Sequence, residues 1–382
     1  MKIRIAIVTE SFPPVFNGVA NSVVRVLESI REQGHDAIVI APTTLGKEFM
    51  GFKTYQVPSV PIFQFQLGMP SPLVTKLLSE YAPDVIHVAS PVLLGSQAIN
   101  WAEKNNVPCV AIFQTDLAAY AERYGFKVLR PMMDKFMANI HAPATLNLAP
   151  TVEVKKYLKK LGINNVEIWG RGVDLELYNP NRKLLKEVHD LRQKLAPNAE
   201  TIVGYVGRLA AEKSVERFVE LIDVPNTAFV IVGDGPERTS LEYKLGKKNV
   251  HFVGKQSGED LANYYAAMDV FVHYGQEETF GQTIQEAQAA GAVVIAPEAG
   301  GPKFLIESGV SGYLINPKKV GLYKEQLLEV MADSELRARI GEGGRRSVLN
   351  KSWKENNNRL FELYLYAIRQ STNEEVEQLQ IA

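Results

Sequence analysis

A regular alternation of short apolar runs with segments of helical periodicity constrains this chain most, and it occurs twice. The first series has its apolar runs at residues 3–9, 37–41, 84–88, 108–113, 145–149 and 166–169. The second has them at residues 201–206, 228–232, 250–253, 270–272, 293–296 and 312–315. Strands this apolar are usually buried on both faces, as in a parallel sheet covered by helices. The alternation therefore predicts two doubly wound α/β domains.

The break between the two series predicts where the domains divide. Residues 176–200 interrupt the alternation with Asn179-Pro-Asn181, a charged stretch and Pro197-Asn198, which is typical of an interdomain connection. Residues 353–368 have the pattern of a long amphipathic helix. We therefore expect a first domain at residues 1–175, which the C-terminal segment at about 353–382 joins, and a second domain at residues 176–352.

Composition excludes several classes of protein. Among 382 residues, Lys+Arg is 42 and Asp+Glu is 43, so the net charge of −1 argues against a nucleic-acid partner. The single cysteine, Cys109, allows neither an internal disulfide nor a multi-thiolate zinc site. No apolar run reaches ~18 residues, and residues 1–14 lack the features of a secretion signal. These features predict a cytoplasmic protein and leave peripheral contact with the inner face of the cell membrane open.

Familiar nucleotide and metal motifs are missing from the sequence. It has no GxxxxGK[ST] motif, no GxGxxG after a strand and no Asp-x-Asp. A kinase-type or dinucleotide-dehydrogenase function therefore loses its main support. We expect neither a cofactor nor a metal site.

Two cations follow the first strand of the second series. Arg208 and Lys213 lie between the end of that strand and the predicted start of a helix. Ligands bind at the carboxyl ends of parallel strands, where two cations suit a diphosphate. The alternative is that both are solvated charges on a loop, as most charged residues are.

A second candidate site surrounds the helix predicted at residues 282–290. Glu278 precedes this helix in a loop, and Glu286 follows eight residues later, inside the helix. The backbone N–H groups of Thr279, Phe280 and Gly281 would form an anion site at the helix N-terminus. Glu286 could accept hydrogen bonds from both hydroxyls of a ribose, or it could be an ordinary exposed helix carboxylate.

These residues carry a resemblance to a known family. The stretch Glu278-Thr-Phe-Gly-Gln-Thr-Ile-Gln-Glu286-Ala resembles the E-x-F-G-x-x-x-x-E-A signature of family 4 glycosyltransferases. Residues 207–213 (GRLAAEK), 233–236 (GDGP) and 299–301 (AGG) follow in the family's order and spacing, and residues 11–19 are similar to its N-terminal loop. The resemblance covers nearly the whole chain.

The resemblance implies the GT-B fold, with two Rossmann-like domains, parallel sheets and an active-site cleft between them. It implies a retaining enzyme that needs no divalent metal. Arg208 and Lys213 would bind the donor diphosphate, Glu286 the ribose and Glu278 the sugar, which makes Arg208, Lys213 and Glu278 the catalytic candidates. The other implied donor contacts are Gly18, Val253, Gly254, Thr279, Phe280 and Gly281.

One position departs from the family pattern. Many members carry a histidine where this chain has Gln114, within Phe-Gln-Thr-Asp. Glutamine does not titrate, but it can still hydrogen-bond a sugar hydroxyl. With Trp169-Gly-Arg-Gly-Val-Asp174, this variant resembles GDP-mannose-dependent α-mannosyltransferases that act on lipid acceptors. We therefore expect mannose transfer from GDP-mannose to a hydroxyl of a lipid or glycolipid.

Three alternatives stay open at this stage. A related branch transfers glucose or sulfoquinovose from UDP-linked donors to glycolipids. A two-domain sugar-binding protein without chemistry is disfavoured by the combination of Arg208, Lys213 and Glu286. A phosphorylase of the same architecture would need a cofactor lysine site, which the sequence does not reveal.

Residues 120–137 mix cations with apolar side chains, which suits an anionic lipid surface. The cations are Arg123, Lys127, Arg130 and Lys135, and the apolar residues are Tyr124, Phe126, Leu129, Met132, Met133 and Phe136. The alternative is a core-facing helix with a solvated charged face.

Overall fold

In a computed structural model of the protein, residues 2–15, 17–62, 65–114, 127–247 and 249–371 are described. The chain divides into two compact units. Unit 1 is Met1–Arg171 with Lys354–Ala382, and unit 2 is Gly172–Trp353. The boundaries expected from the sequence, after residues 175 and 352, lie a few residues from these divisions.

Sixteen strands are formed in the described parts of the chain. They are β1 Arg4–Thr9, β2 Asp36–Ala41, β3 Glu48–Phe49, β4 Phe52–Gln56, β5 Ser59–Ile62, β6 Phe65–Gly68, β7 Val85–Ala89, β8 Cys109–Ile112, β9 Leu146–Ala149, β10 Val166–Ile168, β11 Thr201–Val206, β12 Thr227–Val232, β13 Val250–Gly254, β14 Val270–Val272, β15 Val293–Pro297 and β16 Tyr313–Ile315.

The α-helices are numbered in the same way within the described residues. They are α1 Gly18–Glu32, α2 Pro72–Tyr81, α3 Leu93–Lys104, α4 Arg130–His141, α5 Val152–Lys160, α6 Lys186–Leu195, α7 Arg238–Leu245, α8 Gly258–Ala267, α9 Gln282–Ala289, α10 Pro302–Leu305, α11 Leu322–Ala332, α12 Ser334–Val348 and α13 Trp353–Ser371.

Unit 1 is built on an eight-stranded sheet with the order β10-β9-β8-β7-β1-β2-β4-β3. Its strands are parallel except for the β3–β4 pair. Side chains alternate along each strand, so Ile5 and Ile7 of β1 join one buried cluster and Ala6 and Val8 join another. Both faces of the sheet are therefore covered, as the uninterrupted apolar runs predicted.

The C-terminal helix α13 packs within unit 1. The hydroxyl oxygen of Tyr364 is hydrogen-bonded to Nδ1 of His87 in β7, with 2.5 Å between the two atoms. The indole nitrogen of Trp169 donates to the Asn356 carbonyl at 3.0 Å. The Asn357 amide donates to the Arg25 carbonyl of α1 at 2.9 Å. Four apolar side chains of α13 are also fully buried in the cluster that contains Ile5 and Ile7: Leu360, Leu363, Tyr364 and Ala367.

Unit 2 is built on a six-stranded parallel sheet with the order β13-β12-β11-β14-β15-β16. The chain crosses from β11 outward through β12 to β13 and then returns to place β14 on the other side of β11. Ligands bind at such a reversal of strand order in open α/β sheets. The loops after β11 and β14 are therefore neighbours, although about 65 residues separate them in sequence.

Two parts of the fold differ from the sequence analysis. Residues 48–68 form β3–β6, which the apolar-run pattern missed because strands such as β4 alternate buried and exposed side chains. Residues 176–200 form α6 and a 3₁₀ helix within unit 2, and they are not merely a connection. Arg192 of α6 is paired with Asp269, with Nη2 to Oδ2 at 3.0 Å.

Among the described residues, no helix combines the length and the apolar character needed to cross a membrane.

Candidate functional site

The loop after β11 places Arg208 at the carboxyl edge of the unit 2 sheet. Gly207 has a φ of 157°, which favours glycine, and the Tyr205 hydroxyl donates to the Arg208 carbonyl at 3.0 Å. The guanidinium of Arg208 is paired with the carboxylate of Glu212, a buried residue of the following 3₁₀ turn. Arg208 is therefore held by a fixed carboxylate and is not a freely solvated loop charge.

Lys213 meets Glu278 across the same sheet edge. Its Nζ lies 2.5 Å from Glu278 Oε2, and the two side chains are only 22% and 20% exposed. Lys213 ends the 3₁₀ turn, and Ser214 follows in the left-handed region with a φ of 51°. Because β11 and β14 are hydrogen-bonded neighbours, the structure brings together two residues that the sequence singled out separately.

His273 lies next to this ion pair. It directly follows β14, is 1% exposed, and its Nε2 lies 3.6 Å from Glu278 Oε2. Burial lowers the pKa of His273 to about 4, although the Glu278 carboxylate favours the protonated ring. The imidazole is therefore neutral at pH 7.

The 299–301 turn holds the backbone around Glu278. The Gly301 N–H donates to the Glu278 carbonyl at 2.6 Å. A Cβ at Gly301 would lie 2.1 Å from the Phe280 carbonyl oxygen, and one at Gly300 would lie 2.7 Å from the Glu278 carbonyl oxygen. Backbone packs on backbone here, so this part of the motif shapes the loop that carries Glu278.

Helix α9 positions Glu286. Gly281 precedes the helix with a φ of 101°, and Glu286 lies in its second turn. Glu286 is 9% exposed and accepts a hydrogen bond from the Tyr265 hydroxyl, with 2.8 Å between Oη and Oε2. The alternative that Glu286 is an ordinary exposed helix carboxylate is therefore excluded.

The turn after β13 lies at the same sheet edge. The Gly254 carbonyl accepts from the Gly233 N–H at 2.9 Å, and the Val253 carbonyl accepts from the Gln256 amide at 2.8 Å. A Cβ at Gly233 would lie 1.9 Å from the Gly207 carbonyl oxygen, so a glycine is required there. Val253 and Gly254 are thus on the Arg208 edge of the sheet, two strands away.

The two predicted donor contacts of unit 1 both lie at α1: Gly18 is its first residue, and Gln114 contacts it. Asn17 Oδ1 caps α1 by accepting from the Val19 and Ala20 N–H groups, each at 3.0 Å. The Gly18 carbonyl accepts a hydrogen bond from the Arg171 guanidinium. Gln114 is buried and donates from Nε2 to Ser22 Oγ of α1 at 3.3 Å.

The sequence assigned no role to several residues at or near these sites: Glu10, Glu212, Tyr265 and His273. The first of these is a half-buried carboxylate directly after β1 that accepts four N–H bonds, from Gly68, Val92, Leu94 and Gly95. Burial raises the pKa of Glu10, while these hydrogen bonds oppose the rise. A polar residue directly after an apolar strand was the available signal for both Glu10 and His273.

The described residues contain no group of three or more His, Cys, Asp or Glu side chains placed to hold a metal ion. The positive groups at the sheet edge of unit 2 include Arg208 and Lys213, each paired with a carboxylate.

Comparison with known proteins identifies the family. A model described as "Glycosyl transferases group 1" matches residues 188–347, and one described as "Glycosyltransferase Family 4" matches residues 16–177. A GDP-mannose-dependent alpha-mannosyltransferase of Corynebacterium glutamicum is 41% identical over 92% of this chain and 86% of its own length. One from Mycobacterium tuberculosis is 40% identical over 92% of this chain and 93% of its length. A sulfoquinovosyl transferase of Arabidopsis thaliana is 30% identical over 92% of this chain and 71% of its length.

Solved structures agree on the fold. The sucrose-phosphate synthase of Thermosynechococcus elongatus superposes with a TM-score of 0.80 at 21% identity, and covers 95% of this chain and 98% of that one. The Anabaena HepE structure in complex with UDP gives 0.79 at 21% identity, over 95% and 99%. The expected GT-B fold is therefore confirmed, with parallel strands in both units. The chain belongs to the glycosyltransferase family of these relatives and is an enzyme of that family, as its family 4 glycosyltransferase motifs predicted.

Proposed function

We propose that the enzyme transfers mannose from GDP-mannose to a hydroxyl of a lipid or glycolipid acceptor. The observation that carries the proposal is the 41% identity to a GDP-mannose-dependent alpha-mannosyltransferase over 92% of the chain. The sulfoquinovosyl transferase covers the same share at 30% identity. A UDP-sugar donor is the second candidate.

The geometry of unit 2 supports a donor in which the sugar is linked to a nucleoside diphosphate. Arg208 and Lys213 would bind the diphosphate, where each now holds a carboxylate. Charge-assisted hydrogen bonds of this kind are the strong ones. As the bond to the sugar breaks, the two cations would stabilise the charge that develops on the leaving diphosphate.

We assign the remaining donor contacts as the family resemblance implies. Glu286, fixed by Tyr265, would accept from the ribose hydroxyls, and Glu278 would meet the sugar. The backbone N–H groups of residues 279–281 precede α9, where the helix dipole favours an anion. Val253 and Gly254 are assigned to the base, and Gly18 and Gln114 of unit 1 remain predicted donor contacts.

A donor screen tests this proposal. Release of nucleoside diphosphate is measured with GDP-mannose, UDP-glucose and UDP-sulfoquinovose, with a membrane lipid extract as acceptor. We expect turnover with GDP-mannose and a mannosylated lipid product. Turnover with a UDP-sugar alone would replace the donor assignment.

Catalysis should be independent of divalent metal, because Arg208 and Lys213 take the charge-neutralising role. We therefore expect full activity in excess EDTA. A loss of activity that Mg²⁺ restores would overturn metal independence.

We also propose that residues 128–132, which lead into α4 and form its first residues, contact the acceptor's membrane. Val128, Leu129 and Met132 are exposed to 90%, 38% and 59%, and Lys135 is exposed beside them. An exposed apolar group near a cation suits an anionic lipid surface. Met137, one turn further on, is buried in the core. Residues 120–126 of the predicted segment and the Lys127 side chain lie outside the described residues.

Vesicle co-sedimentation tests the membrane proposal. The combined variant Val128→Asp and Met132→Asp should weaken binding to vesicles of mixed neutral and anionic lipid roughly tenfold or more, since it places charge in the apolar contact. Val320→Asp is the control, because Val320 is 90% exposed in unit 2. Equal vesicle binding by the Val128→Asp, Met132→Asp variant and by the Val320→Asp control would overturn the membrane proposal.

A further inference from the structure

His273 lies beside the Lys213–Glu278 pair but is not one of the residues assigned to the donor. Its Nε2 is 3.6 Å from Glu278 Oε2, the same oxygen that Lys213 Nζ approaches to 2.5 Å. Neither ring nitrogen reaches the geometry of a full hydrogen bond within the described residues, although the backbone of Gly275 is close enough to favour the protonated ring. Leaving a buried polar group without a partner costs ~1–3 kcal/mol, so a buried imidazole at this position calls for an explanation.

The strongest possible hydrogen-bond partner near the His273 ring is the Glu278 carboxylate. Tyr205 of β11 lies nearly parallel to it, with 6.3 Å between ring centroids, and the Tyr323 hydroxyl of α11 donates to the His273 carbonyl at 3.1 Å. The charged groups that act on the ring are Glu278 and Lys213. Burial opposes a protonated imidazole most strongly and Lys213 adds to this effect, whereas Glu278 and a backbone hydrogen bond with Gly275 favour it.

The competition between Lys213 and His273 for one carboxylate oxygen changes when a diphosphate arrives. If the Lys213 ammonium is drawn toward the phosphates, the positive charge that now lies 2.5 Å from Glu278 Oε2 moves away from it. Glu278 is only 20% exposed, so water would solvate the carboxylate poorly. His273 Nε2 is within 1 Å of hydrogen-bonding distance to that oxygen.

We propose that His273 is a positioning residue that replaces Lys213 as the partner of Glu278 when the donor diphosphate binds. In this step the imidazole takes one proton from solvent and becomes an imidazolium, and its Nε2–H donates to Glu278 Oε2. No covalent bond changes. Glu278 thereby stays fixed to meet the sugar while Lys213 serves the diphosphate. The inference rests on the proposed function only in assigning Lys213 to the diphosphate.

Calorimetry of nucleotide binding measures the proton. GDP is titrated between pH 5 and 7 in buffers of different ionisation enthalpy, and the same is done with UDP. The wild type should take up more protons per bound nucleotide than His273→Gln, by up to one proton. The pH dependence of the affinity should differ by up to tenfold per pH unit. His251→Gln, in β13 of the same unit, is the matched control and should keep the wild-type proton count.

The outcomes separate the two proposals. Nucleotide binding with the same proton count in wild type and His273→Gln overturns this inference and leaves the proposed function standing. Failure to bind either nucleotide overturns both. Should His273→Gln not fold, NMR titration of the His273 ring in the wild type gives the same answer. Its pKa should rise on adding GDP, and also in ligand-free Lys213→Met. An unchanged pKa in both overturns the inference.

Discussion

The hydroxyl of Tyr265 donates a hydrogen bond to Oε2 of Glu286, with 2.8 Å between the oxygens, and both side chains are buried. Tyr265 itself is packed edge-on against Tyr178, with ring centroids 5.3 Å apart. The tyrosine therefore fixes one oxygen of the carboxylate that we assign to the ribose.

Tyr265→Phe should weaken GDP binding roughly tenfold, because a hydrogen bond to a charged group is worth ~1.5–3 kcal/mol and only part of it is felt through orientation. The maximal rate should change less than the affinity. Calorimetry and steady-state kinetics measure the two effects. Tyr264→Phe, at the neighbouring half-buried position, should bind GDP like the wild type. Equal losses in both variants would contradict a specific role for Tyr265.

Arg208→Ala should lower kcat/KM roughly 10-fold to 200-fold, because it removes a charge-assisted hydrogen bond worth ~1.5–3 kcal/mol from the leaving diphosphate. It also leaves the buried Glu212 carboxylate without its Arg208 partner, so folding must be checked by circular dichroism. Arg346→Ala is the control, since Arg346 forms an exposed pair with Glu342 in the same unit. Unchanged kinetics in a folded Arg208→Ala enzyme would remove the assignment.

Glu286→Gln and Glu278→Gln should separate nucleotide binding from transfer. Glu286→Gln should weaken binding of free GDP roughly tenfold, because a neutral amide accepts less strongly from ribose hydroxyls. Glu278→Gln should depress the transfer rate more than the GDP affinity, because Glu278 is assigned to the transferred mannose, which GDP does not carry. Titration calorimetry with GDP and turnover with the sugar donor give both quantities. The division of roles fails if the two variants lose GDP affinity equally.

Three buried histidines should make the protein sensitive to acid. Burial lowers the pKa of His87 to about 3 and those of His141 and His273 to about 4, against about 6.5 in an unfolded chain. The unfolded chain therefore binds protons first, and the stability present above pH 6.5 is lost as the pH falls toward 4. At pH 5 each of these histidines should lower the free energy of unfolding by about 2 kcal/mol relative to its value above pH 6.5.

Thermal unfolding between pH 4.5 and 7.5 checks this expectation. His87→Gln removes a titrating group while its amide can still bond to Tyr364, so its Tm should fall less steeply with acid than that of the wild type. His189→Gln, at an exposed position, should follow the wild-type curve. A His87→Gln curve parallel to that of the wild type would contradict neutral burial of this histidine.

The sequence alone predicted what depends on local spacing. Twelve apolar runs predicted the main strands of both parallel sheets, because burial on both faces leaves a continuous apolar stretch. The spacing of Glu278 and Glu286 likewise predicted a carboxylate in a loop and another inside the following helix, which α9 confirms. Half-polar strands such as β4 carried too weak a pattern to be found.

Tertiary structure decided which of these residues meet. Nothing local indicates that β11 lies beside β14, and only this pairing brings Lys213 to 2.5 Å from Glu278. The contacts of Tyr265 with Glu286 and of His273 with Glu278 are likewise products of packing. The reason is physical: periodicity and turns depend on neighbouring residues, whereas ion pairs and buried hydrogen bonds depend on how the chain crosses over and on which groups lose water together.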